Sequence, residues 1–485
     1  MKKIFLALLC AAAPAGAREP AVAGQFYPAD PPELSRAVDR WLVPPAGGKP
    51  PSGIVAVLAP HAGYEFSGRL AGMAYWYAAE AYDTVVILAT GHTEAVKGAA
   101  ILSSDFYKTP LGKVEPDRAL AAALLKSGPL FEERPSAHLR EHAVEVQLPF
   151  LQRKLKKPFK LLPAVMNTSD PAAIKDVGAA LAAALKGKKA LIVISADFSH
   201  YPSASDAAAS DGAMRLALES MDPGLFLAAA RFIEGKGIAG LDTCACGAAA
   251  VAAGMEAASL LGAKSFRTLK VSDSHAENRR AGPDRVVGYI SGVFSSSGAP
   301  AGLALSKVQK AALLKEARAT LDRHFADGDR PAGLDPDPRL NLPGAAFVTL
   351  TIGGALRGCV GTVEPAMTLA DAVRYGAYGA ALRDGRFRPL TKEELPGVKI
   401  EISVLSPLKP AVHAGVKPGV HGAVIVKDGR SGLFLPQVWE QLPGKEDFFS
   451  ELCSQKAGLP RDCWKDPAVK LYSFTVDSFE EEGRR

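Results

Sequence analysis

After its first seventeen residues the chain has no apolar run long enough to cross a membrane, which excludes stable membrane insertion of a mature protein. It also lacks any dense Lys/Arg stripe interleaved with aromatics. Its net charge of +6 is modest over 485 residues, so nucleic acid is not an expected partner. Cysteine is scarce: Cys10, Cys244, Cys246, Cys359, Cys453 and Cys463 are all there are. That is not a disulfide framework for a chain of this size. If Cys10 leaves with an N-terminal segment, the odd number remaining leaves at least one thiol free, unless it binds metal or another chain. Cys453 and Cys463, ten positions apart, are candidates to pair. Internal repeats are missing as well, and low complexity is confined to the N-terminal apolar stretch, one linker and some Ala-rich helices.

What is present is an ordinary soluble balance, 48% hydrophobic and 22% charged, in a length that suits two or three domains. Lys2 and Lys3, the apolar stretch Ile4 to Ala13, and Ala15-Gly16-Ala17 read as a secretory signal over 1–17, cleaved after Ala17. The expectation is an exported protein, periplasmic or secreted. A cytoplasmic chain with a buried first strand is the alternative. Leu9 before Cys10 is too large for a good lipoprotein site.

From Ile54 onward, near-continuous apolar strands at 54–59, 84–90, 159–165 and 190–196 alternate with helices at 67–80, 116–127, 141–155 and 171–186. This pattern predicts an α/β fold with a buried, mainly parallel sheet and flanking helices. Further helices at 205–220, 223–233 and 247–261, and strands at 266–271 and 286–294, complete a domain of residues 18–294. SSSGAPAG then reads as a flexible linker, 295–305. Beyond it, helices at 306–325, 367–382 and 446–457 mix with strands at 345–352, 398–405 and 420–427. GGALRGCVGT reads as a turn between two of these elements. The second domain, 306–482, is therefore predicted to be α+β.

Three apolar strands end in an imidazole at the same sheet edge: IVAVLAPH at His61, VVILATGH at His92, and LIVISADFSH at Asp197 and His200. Open α/β sheets place their chemistry at that edge. A single histidine there is usually a hydrogen-bonded loop residue. Three change the reading, because two imidazoles and one anion make an open site for a first-row metal. Glu141, Asp197 or a cysteine thiolate qualifies as the anion. Gly63, Gly91 and Gly247 flank the candidates and permit tight turns. Glu141 and His142 open an amphipathic, helical stretch; either they face the site, or Glu141 only complements a helix dipole. Cys244 reads as a small buried residue.

The segments AVAGQFYP, APHAGYEFSG, GHTE, EHAVEVQLPF, SADFSHY and CG occur in one order and resemble the Memo family. Its fold is similar to class III extradiol dioxygenases of the LigB type. The resemblance covers about 20–294. It implies a metal, iron or copper, on His61, His92 and Cys246, with Asp197, His200, Glu141 and His142 at the same pocket. True extradiol enzymes complete the triad with a glutamate. The cysteine departs from that pattern and leans away from ordinary ring cleavage, since a soft thiolate suits copper as well as iron. In the expected mechanism His200 acts as acid/base and Asp197 orients it.

ALRGCVGT, RDGRFRPLTKEEL, LFLPQVWEQ and FFSELCSQKAGLP resemble the AMMECR family, over about 306–480. Arg357 is a candidate clamp for an anion and Cys359 a candidate nucleophile; the plain alternative is a structural turn with a buried thiol. Relatives of both families, with a radical SAM protein, form the set called AmmeMemoRadiSam, which makes such a protein an expected partner beside an unknown small molecule or peptide. No CxxxCxxC occurs in this chain. The functional expectation is a metal-binding protein with a dioxygenase-like pocket working as a redox enzyme. The alternatives are a non-catalytic metal-binding scaffold or a metal-dependent hydrolase.

Overall fold

Four of the apolar runs become the middle of one sheet. In the computed structural model, which describes residues 16–44, 51–326 and 333–482, strands Lys160–Met166, Thr84–Thr90, Ala190–Ser195 and Ile54–Ala59 lie side by side in that order, all parallel. Every residue of Thr84–Thr90 is buried, as expected for a strand covered on both faces. Gly288–Ser295 runs antiparallel beside Ile54–Ala59, and Ser265–Asp273 forms that edge. On the other side Gly112–Pro116 adds in parallel to Lys160–Met166, followed by Phe106–Thr109 and Ala17–Arg18. The fold is α/β with a mainly parallel sheet, as the alternation of patterns predicts.

The flanking helices start where their caps dictate. Asp170, Ser203 and Asp222 accept backbone N–H groups at the starts of Pro171–Leu185, Ala204–Glu219 and Pro223–Glu234. Pro171–Leu185 and Ala248–Leu260 approach closely because both are rich in small residues; a Cβ on Gly178 would lie 2.6 Å from the Ala253 carbonyl. The expected helix at 141–155 begins later, as a 3-10 turn at Glu145–Gln147 leading into Leu148–Lys154. The short strands Ala99–Ile101, Phe106–Thr109, Gly112–Pro116 and Phe131–Glu133 were not anticipated, because three to five residues carry too little periodicity.

Most of the expected signal segment, residues 1–15, lies outside the described residues. Ala17 pairs with Phe106 in the sheet. Arg18 is 2% exposed. Its guanidinium pairs with the Glu145 carboxylate and donates to the His138 and Glu141 carbonyls. Glu145 also accepts from the Ala21 and Val22 amides and from the Tyr27 hydroxyl. A buried charge pair is tolerated when each remaining lone pair and proton is satisfied in this way.

The chain's contacts divide into two units between Leu303 and Ala304. In the second unit, helices Lys307–Ala326 and Leu369–Leu382 pack on an antiparallel sheet of Ala355–Gly361, Pro343–Ile352, Val398–Leu405 and Val476–Glu480, with Met367–Thr368 alongside. A four-stranded antiparallel sheet holds Lys409–Pro410, Lys470–Phe474, Gly422–Lys427 and Arg430–Phe434. LRGCVG is thus an edge strand rather than a turn; the turn is Gly353-Gly354, both with positive φ. The helix expected at 446–457 is Lys445–Glu451, followed by the π-helical residues Leu452–Lys456. Cys453 and Cys463 form a disulfide there.

Candidate metal centre

His61 and His92 sit just past the carboxyl ends of Ile54–Ala59 and Thr84–Thr90, with Ala190–Ser195 between those strands. Two strand spacings put their backbones about 10 Å apart. Both side chains turn inward, so the imidazole centroids are 5.3 Å apart and the rings perpendicular. Cys246 closes the triangle from above. Its segment bridges the one that carries Asp197, and Gly247 follows with φ 107°. A Cβ at Gly247 would meet Thr90 and the Ser195 carbonyl only at ordinary contact distance, about 3.5 Å, so it is the left-handed backbone that calls for glycine where this loop lies on the strand ends. The ligand atoms of His61, His92 and Cys246 lie within 4.8 Å of one another.

The protons on the two imidazoles are set by partners behind them. Ser195 Oγ donates to the Ala143 carbonyl at 2.7 Å and accepts from Gln147 Nε2 at 2.9 Å. Its only proton is committed, so at 3.1 Å from His61 Nδ1 it accepts. That fixes the tautomer of His61 and leaves Nε2 bare and buried, with no hydrogen-bond partner among the described residues other than the Cys246 sulfur it faces. Behind His92, Glu141 accepts the backbone N–H at 2.7 Å and faces Nδ1 at 3.0 Å. It accepts a third N–H, from Ala143, at 2.8 Å. His92 Nε2 then points at Cys246 Sγ, 3.0 Å away. Carboxylate or hydroxyl behind imidazole is the usual outer support of a metal ligand.

The electrostatics follow from this packing. Burial opposes charge on Glu141, but the hydrogen bonds from His92 and Ala143 hold its pKa down to about 2. Burial opposes the Cys246 thiolate, yet the two imidazoles outweigh it and lower its pKa to about 6. Burial likewise opposes charge on His92, while Cys246 and Glu141 raise it to about 10. Against burial, Asp197 and Cys246 raise His61. Thiolate and imidazoles therefore share protons that a cation would displace. The donor set, two nitrogens and one soft sulfur with a bare buried Nε2, fits a first-row transition metal.

His142 stacks on His92 at 4.6 Å and meets His61 edge-on at 5.5 Å. Burial, with His61 and His92 beside it, lowers its pKa to about 4 and keeps it neutral. His92, Glu141 and His142 form a second close grouping, but the Glu141 oxygens are already occupied by N–H donors. Asp197 accepts the His61 N–H at 2.7 Å, and its other oxygen lies 3.9 Å from His61 Nε2. It supports His61 and does not orient His200, whose Nδ1 is held by the Phe198 carbonyl at 2.6 Å. Among the described residues no hydrogen bond or ring contact joins His200 to the triad. Cys244 is fully buried and is in neither close grouping of possible ligands. Asp211 supports the Asp197–His200 loop from below, accepting the Ser199 N–H at 3.0 Å. Only glycine fits at position 288, where a Cβ would lie 1.7 Å from the Asp211 carboxylate. Burial raises the Asp211 pKa to about 7. Ser195, Gln147 and Asp211 escaped sequence reasoning. A polar residue closing an apolar strand, LIVIS, was the one available signal.

In the second unit Arg357 is committed to Glu394 and to the Arg388 and Pro389 carbonyls, so it is not a free clamp. The Cys359 thiol accepts from the Thr349 hydroxyl at 3.3 Å, while its backbone N–H goes to Asp384 and its carbonyl accepts from Arg386. ALRGCVGT and RDGRFRPLTKEEL thus meet because side chains of the second satisfy the open edge of the first.

Residues 18–293 match the family model described as Memo-like protein. The chain belongs to that family. A MEMO1 family protein of Aquifex aeolicus is 37% identical over 280 residues, covering 57% of this chain and 98% of that protein. One from Methanopyrus kandleri is 33% identical over 289 residues, again covering 98% of the relative. The Memo-like unit is followed by an AMMECR1 match over residues 314–479. Among solved structures, an uncharacterized protein of Pyrococcus horikoshii is 35% identical, covering 35% of this chain and 90% of that one, with a TM-score of 0.34. Among the described residues, no helix is long and apolar enough to cross a membrane.

Proposed function

We infer that the Memo-like unit binds one first-row transition metal, iron or copper, through His61, His92 and Cys246, and that it works as a metal-dependent redox protein. The observation that carries this reading is the pair of outer partners, Ser195 and Glu141, which turn the Nε2 atoms of His61 and His92 toward the Cys246 thiolate. When bound, such a metal supplies Lewis acidity and one-electron chemistry at its open positions. Asp197 orients the His61 turn. His142, neutral and in contact with both ligand rings, is the residue best situated to hydrogen-bond a ligand at the pocket. Elemental analysis of the anaerobically purified full chain tests the reading. About one iron or copper per chain is expected, and none in the His61→Ala/His92→Ala variant. Full metal retention by that variant overturns the site. Metal binding without metal-dependent oxygen consumption would support the site and rule out the redox activity.

A further inference from the structure

Tyr201 adopts a backbone that a bulky residue rarely takes, with φ 70°. Gly240 packs against it so closely that a Cβ there would lie 2.6 Å from the Tyr201 carbonyl. The ring gains little burial from this strain, being 36% exposed. The strained backbone instead sets the ring between two polar groups. The His200 imidazole lies edge-on at 5.5 Å, and the Arg285 guanidinium sits over the ring face at 4.0 Å. Among the described residues Arg285 makes no hydrogen bond and no ion pair. Stacking fixes the plane of its fork and leaves the N–H edge unpaired. Strain of this kind is kept where a side chain must be aimed.

This shelf is joined through its own loop to Asp197, which supports a metal-site histidine. Its two loops are zipped together: Phe198 N–H donates to the Gly288 carbonyl, Tyr201 N–H to Val286, and Ala204 N–H to Pro283. The first of those loops begins at Asp197, which bridges Cys246 and holds the His61 amide. Three residues further out, His200 bridges Thr243 and Val287. Three residues of chain span at most about 10 Å, so His200 lies within that reach of Asp197. The Arg285 loop also carries the exposed Arg279 and Arg280, against one exposed carboxylate, Asp284, so cations outnumber anions there.

We propose that Arg285, stacked on Tyr201 beside His200, is the anion-binding arm of this pocket, and that the ligand of the Memo-like unit bears a carboxylate or phosphate. The proposal rests on the metal-pocket reading for its location. Phenyl phosphate and benzoate are the two probes, titrated calorimetrically into the full chain at low salt. Binding of phenyl phosphate alone assigns a phosphate, of benzoate alone a carboxylate. Arg285→Ala should weaken the bound probe about tenfold or more, the scale of a lost charged hydrogen bond. Arg285→Lys should be intermediate because ammonium has no fork. Tyr201→Phe should bind as the native chain does, whereas Tyr201→Gly should be thermally more stable yet bind more weakly. A structural role alone would move melting temperature without moving affinity. Native chain that binds neither probe, or Arg285→Ala that binds like native, overturns the proposal, as does an Arg285→Ala chain that loses its metal along with its affinity. Native chain freed of metal by a chelator is expected to keep probe affinity, which separates failure of the arm from failure of the metal site.

Discussion

Ser195 Oγ accepts the Nδ1 proton of His61 because its own proton is held by the Ala143 carbonyl. The hydroxyl therefore acts as a fixed acceptor, and it decides which nitrogen of His61 is free to bind. Ser195→Ala should keep the fold but weaken metal affinity by about 10–100-fold, the usual effect of removing an outer partner of a metal-bound histidine. Competition with a chromophoric chelator measures this. Unchanged affinity would mean that the tautomer is set elsewhere.

Cys246, with a pKa lowered to about 6, should be alkylated by iodoacetamide in metal-free protein at a rate that rises through that pH as the thiolate forms. Cys244, buried with its thiol pushed far up, should stay unmodified at neutral pH. Site-resolved mass spectrometry distinguishes them. A half-maximal rate above pH 8 at Cys246 would remove the thiolate from the argument.

Arg18→Ala leaves Glu145 charged and unpaired in the interior. It should cost about 3–5 kcal/mol of stability. Glu145→Ala should cost a similar amount, and the double variant much less than their sum. Urea unfolding of the three variants completes the cycle; additive losses would show that the pair is not coupled.

Asp211 carries a pH dependence of definite sign. Its carboxyl has a folded-state pKa raised to about 7 against the ordinary 3.8. The folded state therefore keeps a proton that the unfolded chain releases. The stability this contributes is full below pH 4 and is lost as the pH rises to about 7, on the order of 4 kcal/mol. Asp211→Asn cannot ionise. Relative to the native chain it should gain stability between pH 5 and pH 8, seen as a melting temperature that falls less over that range. Parallel curves would refute the assignment.

The ligand ends of the strands were legible because they are local: an apolar run and the histidine that stops it are adjacent in sequence. The supporting partners were not. Glu141 reaches His92 across 49 positions and Ser195 reaches His61 across 134, and only the strand order makes them neighbours. The structural role of Arg357 is hidden for the same reason, since its partner Glu394 lies 37 positions away. The His200 imidazole shares a loop with Asp197, yet the backbone between them carries it outward along the pocket wall. The pairing of Cys453 with Cys463 is brought about by a π-helical turn, which leaves no periodic trace.

The strand Ala190–Ser195 acts as a spacer of fixed width between the two histidine turns. That width comes from backbone hydrogen bonding and is indifferent to side chains. Loop substitutions therefore cannot tune the separation of the two histidine backbones. Cys246 is different, because it comes from a loop that rests on a glycine. Adaptation of such a site to another ion would act through the sulfur position and the partners that aim the rings, with the two histidine backbones as the invariant part.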